Sequence, residues 1–71
     1  MIFLKNRIEA LRNQHQLTQQ DLADLLDVSR QTVSSLENGR YNPSLGLAFK
    51  ISRVFDLPIE RIFSDERTDR Q

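Results

Sequence analysis

Arg30, Gln31, Ser34 and Ser35 place a guanidinium, a carboxamide and two hydroxyls at positions i, i+1, i+4 and i+5 of one short segment. On a helix that spacing gathers all four on one side. Their chemistry is the donation and acceptance of hydrogen bonds, which an ordinary solvated helix face and a surface that reads base edges have in common. A guanidinium matches the O6 and N7 of guanine, a carboxamide matches the N6 and N7 of adenine, and a serine hydroxyl can meet a base, a phosphate or a water. The other reactive residue types do not assemble. His15 is the single histidine, and cysteine is absent, so thiol chemistry, disulfides and zinc fingers are excluded. Asp21, Asp24 and Asp27 recur every third residue and read as a solvated helix face rather than a metal site. The serines lack a His–Asp pair to activate them, and no Gly-rich phosphate loop is present. The sequence therefore predicts no enzyme, no catalytic residue, no metal and no cofactor.

These side chains need a scaffold, and 71 residues supply one small domain. Hydrophobic residues are 38% and charged residues 28%, which suits a soluble globular chain. Two Gly and two Pro are too few for a turn-rich sandwich and favour helices. The longest apolar run, Met1-Ile2-Phe3-Leu4, is too short to cross a bilayer, so no membrane association is expected and the cytoplasm is the expected compartment. Ten basic and ten acidic residues cancel, which argues against a non-specific nucleic-acid coat. The distribution is uneven, however. Residues 30–53 carry Arg30, Arg40, Lys50 and Arg53 against Glu37 alone, enough to present one positive face.

The periodicity predicts an all-α fold, a compact bundle of about five short helices. Leu4, Ile8 and Leu11 mark a first helix from residue 4 to about 14. Thr18 is an N-cap with Asp21 placed to reach back to it, and a second helix turns Leu22, Ala23, Leu25 and Leu26 inward. Ser29 caps a third helix, about residues 30–38, which buries Val33 and Leu36 and stops at Asn38-Gly39. Ser44 caps a fourth that buries Leu45, Ala48, Ile51 and Phe55. Ile59, Ile62 and Phe63 fit a short fifth helix behind Pro58. Paired strands from Ile2-Phe3 and Ile62-Phe63 are the alternative for the chain ends. The domain is expected over residues 1–63, with a polar, fraying tail over 64–71.

Residues 18–39, TQQDLADLLDVSRQTVSSLENG, are two helices joined by a tight turn, a helix-turn-helix. Ala23 must be small where the helices cross. Val28 plugs the gap between them, and the polar set starting at Arg30 is forced outward. A short polar helix with an exposed N-terminal end fits the major groove of B-DNA. Together with the downstream LGLAFKISRVFDLPIERIF (45–63), this segment resembles the lambdoid phage repressor and Cro group, the XRE-type helix-turn-helix family. Where many helix-turn-helix proteins place Gly in the turn, this chain has Asp27, which tolerates the left-handed region at a small cost.

The resemblance implies roles by position. Arg30, Gln31, Ser34 and Ser35 would meet base edges of a double-stranded operator. Gln19, Ser29, Thr32, Asn38, Arg40, Tyr41 and Asn42 would meet phosphates, although the Tyr41 ring could equally pack on the edge of the core. Arg12 and Glu37 would form a partly buried structural ion pair. Proteins of this size double their reach by forming a homodimer on a pseudopalindrome, with two recognition helices about 34 Å apart. Phe49, Val54, Ile59 and Phe63 are the candidate dimer surface, with Met1 to Phe3 as an addition; Leu47 and Val54 could instead complete the core. Repression by occupying an operator is the expected mode. An antitoxin with a protein partner, and an adaptor without DNA binding, are the rival readings.

Overall fold

A computed structural model describes residues 4–64, and within it the helical bundle forms with one short sheet. The elements are β1 (Lys5–Asn6), α1 (Ile8–Gln14), α2 (Gln19–Leu26), α3 (Arg30–Glu37), α4 (Leu45–Phe55), α5 (Ile59–Ile62) and β2 (Phe63–Ser64). Three of the helices start on hydroxyl caps. The Thr18 side chain accepts from Asp21 N–H while the Asp21 carboxylate accepts from Thr18 N–H, closing a capping box. Ser29 accepts from Thr32 N–H, and Ser44 from Leu47 N–H.

Four helices end in one way. Gln16, Asp27, Gly39 and Asp56 each take a left-handed backbone, with φ of 58°, 60°, 73° and 54°. The next residue then donates its N–H to the carbonyl five positions back: Leu17 to Arg12, Val28 to Ala23, Arg40 to Ser35 and Leu57 to Ser52, at 3.0–3.1 Å. This satisfies carbonyls that the helix itself leaves unpaired. Three of the four turns achieve it without glycine, through Gln or Asp.

The core is one apolar cluster. Ile8, Leu22, Leu26, Val33, Leu36 and Ile51 are fully buried, and every helix contributes to it. Ala23 is also fully buried on α2, which packs on α3. Val28 lies half-buried against the cluster.

Several expectations are corrected. The first helix begins at Ile8 rather than residue 4, because the Asn6 side-chain oxygen accepts from Ile8 N–H and the chain before it is extended. Leu25 and Leu45 do not turn inward; they are 57% and 68% exposed. Leu45 is the first residue of α4, ahead of the turn that meets the core, and Leu47 takes the inward place. Phe63 leaves the fifth helix and joins β2, antiparallel to β1 in the register Lys5↔Ser64 and Asn6↔Phe63. It is buried there, which withdraws it from the candidate dimer surface. The chain ends do pair, but Lys5–Asn6 supplies the N-terminal strand; Ile2 and Phe3 lie outside the described residues. Ser64 belongs to β2 rather than to a tail, and residues 65–71 also lie outside the described residues. Among the described residues no helix is long and apolar enough to cross a membrane.

Candidate nucleic-acid interface

α3 holds its outward face rigidly because its inward face is fixed twice. Val33 and Leu36 are fully buried beneath it. At its C-terminal end Glu37 receives three donors: Arg12 Nε at 2.6 Å, Arg12 Nη2 at 3.3 Å and Gln19 Nε2 at 3.0 Å. Arg12 also donates Nη1 to Leu17 O at 2.8 Å. The two charged side chains are 12% and 4% exposed, so α1 and α3 are tied by a mostly buried, fork-like pair. The hydrogen bond to Glu37 raises the Arg12 pKa above its ordinary value, against the opposing effect of burial. No polar side-chain atom is left buried without a partner among the described residues.

The opposite side of α3 faces solvent. Arg30 and Gln31 are exposed in its first turn, and Ser34 and Ser35 are half-buried one turn later. The Ser29 hydroxyl accepts the Thr32 N–H at 3.1 Å and lies 2.9 Å from the Thr32 hydroxyl, so both oxygens sit at the positive end of the helix. Past α3 the chain turns at Gly39. Its Cβ position meets nothing within 4 Å, so the glycine is required by its φ of +73° and not by crowding.

Arg40, Tyr41 and Asn42 come next, all exposed. Ser29, Gln31, Thr32, Ser35, Arg40 and Tyr41 together line one concavity of about 330 Å³. Six of the residues read from the sequence as DNA contacts thus share a single surface, with the side chain of Gln31 on its wall. Tyr41 is 43% exposed, so the residue is not withdrawn into the core.

The remaining candidates are placed differently. Arg30 and Ser34 lie on the neighbouring stripe of α3, and Asn38 is exposed at its end. Gln19 sits at the start of α2, but its amide nitrogen is turned to Glu37 rather than outward. The Asn42 side-chain oxygen accepts Leu4 N–H at 3.0 Å. On α4 Phe49 is 46% exposed, while Val54 and Ile59 are half-buried against the core. Asn6 is the residue that sequence reasoning missed: its side-chain nitrogen donates to Leu36 O at 2.8 Å. The one local signal was an amide side chain two residues before the first helical isoleucine.

The fold that carries this surface is shared with known proteins. Residues 8–62 match the helix-turn-helix family designated HTH_3. The chain is 53% identical over 60 residues to a Methanocaldococcus jannaschii protein named an uncharacterized HTH-type transcriptional regulator, covering 84% of this chain and 91% of that one. It is 33% identical over 60 residues to the immunity repressor protein of Bacillus phage phi105, covering 84% of this chain and 42% of that one. The crystal structure of the restriction-modification controller protein C.AhdI from Aeromonas hydrophila superposes with a TM-score of 0.71 at 31% identity, over 78% of this chain and 83% of that one. The concavity beside α3 is thus carried on a DNA-binding scaffold, and the chain belongs to the helix-turn-helix family of transcriptional regulators.

Proposed function

We propose that the protein is a sequence-specific repressor that binds double-stranded DNA as a homodimer on a pseudopalindromic operator. The observation that carries this reading is the exposed first turn of α3, where Arg30 and Gln31 project beside a wall continuous with Arg40 and Tyr41. In the reading, Gln31 and Arg30 meet base edges in the major groove, with Ser34 and Ser35 behind them. Ser29, Thr32, Asn38, Arg40 and Tyr41 meet the flanking phosphates and fix the register. The Arg12–Glu37 pair keeps α3 at a set angle while this happens. Burial of Val33 and Leu36 leaves the helix one outward face to offer, and that face has no apolar side chain.

One recognition helix contacts few base pairs, so two copies are needed for a usable site. Phe49 is the centre of the surface that would join them, with Val54 and Ile59 at its margin. Occupation of the operator excludes polymerase and requires nothing beyond the DNA-binding unit, and the similarity to a phage immunity repressor supports this mode. The test is selection of bound duplexes from random DNA at fixed salt. Two inverted half-sites with centres about 10–10.5 base pairs apart, or a multiple, are expected. A single unrepeated half-site removes the dimer from the reading, and no enrichment removes DNA recognition by α3. Placing the selected site over a reporter promoter then separates repression from activation.

A further inference from the structure

The geometry points to Asn6 and Asn42 as positioning residues for DNA recognition, through which the terminal β-ribbon sets the end of α3 and the loop beyond it. Asn6 joins three elements at once. Its backbone pairs with Phe63 in the ribbon. Its side-chain oxygen accepts from Ile8 N–H, the first amide of α1, at 3.0 Å, and its side-chain nitrogen donates to Leu36 O at 2.8 Å, in the last turn of α3. Both bonds are partly buried and therefore less open to exchange with water. Leu36 O also receives the Gly39 N–H at 3.1 Å, so Asn6 adds a second donor to the carbonyl that holds the left-handed turn.

Asn42 makes the matching tie two residues past Arg40. Its side-chain oxygen takes the Leu4 N–H, the backbone group just ahead of β1. The segment Leu36 to Asn42 is thus tied at one end to Asn6 of the ribbon and at the other to Leu4 just ahead of it, and Arg40 and Tyr41 lie between the two ties. This gives Asn42 a role through Leu4 in place of the phosphate contact expected from the sequence. It also gives the ribbon a function that its two residue pairs alone do not suggest.

Four single variants of the full chain, and one double variant, test the assignment by amide hydrogen exchange and by operator binding, at a temperature where circular dichroism shows each folded. Asn6→Ala is expected to speed exchange of the Gly39 and Arg40 amides about tenfold relative to amides inside α2, and to weaken operator binding about tenfold. Asn6→Asp keeps the acceptor for Ile8 N–H and loses the donor to Leu36. Its second carboxylate oxygen then faces Leu36 O, so it should melt below the parent protein and show the same fast exchange past α3.

Asn42→Ala is expected to weaken binding about threefold, and to do so non-additively with Leu4→Pro, which removes the N–H that Asn42 holds. Unchanged relative exchange at Gly39 and Arg40 in folded Asn6 variants overturns the assignment for Asn6. So does unchanged affinity with fast exchange. Additive losses for Leu4→Pro and Asn42→Ala overturn the assignment for Asn42 and return it to direct DNA contact. The binding measurements rest on the DNA reading proposed above and the exchange measurements do not, so a parent protein that binds no duplex refutes that reading while the tie is still measured.

Discussion

The turn after α2 and the turn after α3 share a backbone and differ in the side chain that comes next. Asp27 and Gly39 both adopt the left-handed conformation, and Val28 and Arg40 both return an N–H to a carbonyl five residues back. Val28 then folds onto the core, as Leu17 and Leu57 do after the other two such turns. Arg40 is the exception, because it is charged, exposed and placed on the concavity beside Gln31. An apolar residue usually closes this motif by packing on its own helix. Replacing it with arginine converts a closing turn into a presenting one without any change of backbone. The device that builds the bundle also builds its binding edge, and a single side chain decides which it does.

Substitutions can break that comparison at graded cost. The largest effect is expected at Glu37, where Glu37→Ala strands a mostly buried Arg12 guanidinium and should lower stability by about 2–3 kcal/mol in denaturant melts. Gln31→Ala should lower affinity for the selected operator by about 1–3 kcal/mol and relax base preference at one position, with the melting curve unmoved. The two turns should then separate by readout. Val28→Ala should cost about 1–2 kcal/mol of stability through lost packing. Arg40→Ala should leave stability within about 0.5 kcal/mol, weaken binding to all duplexes alike, and reduce the salt slope by about one.

Glycine exchange sharpens the backbone half of the comparison. Gly39→Ala has space for its methyl group yet should lose about 1–2 kcal/mol to the positive φ, while Asp27→Gly and Asp56→Gly should each gain up to about 1 kcal/mol. The smallest expected effect is on pH dependence. Hydrogen bonds from the Thr18 backbone and then its side chain hold the Asp21 carboxyl below its ordinary pKa. A carboxyl depressed on folding stabilises the native state above its unfolded pKa, near about 4, and that contribution disappears as pH falls through the folded value. Melting temperature measured from pH 6 to pH 2 should therefore fall less steeply for Asp21→Asn than for the parent chain. The hydroxyl caps at Ser29 and Ser44 carry no such dependence.

Local signals were read well from the sequence, and distant ones were not. Thr18 with Asp21, Ser29 and Ser44 act within three residues of themselves, so each helix start is written where it occurs. The left-handed turn at Asp27 is equally local. Val33 and Leu36 were legible because a helix spaced by 3.6 residues has one inward face. Leu45 misled because it matched the period of α4 while standing ahead of its first packed turn. Phe63 misled because a single apolar residue after a short helix reads the same in either conformation until its strand partner is known. Asn6 and Leu36 are thirty residues apart, and no periodicity connects them. The turning of Gln19 toward Glu37 was hidden for the same reason, since a helix-start amide can serve a phosphate or a neighbouring carboxylate equally well.

The antiparallel pairing of Lys5 with Ser64 brings the two boundaries of the described fold to one corner. A short Gly-Ser bridge from Ser64 to Leu4 would span that corner with little strain, and new termini could open at the exposed turn around His15 and Gln16. Such a permuted chain would close the ribbon corner, and the same adjacency of Leu4 and Ser64 suits the unpermuted domain to insertion within a larger host protein, since both connections would leave from one place.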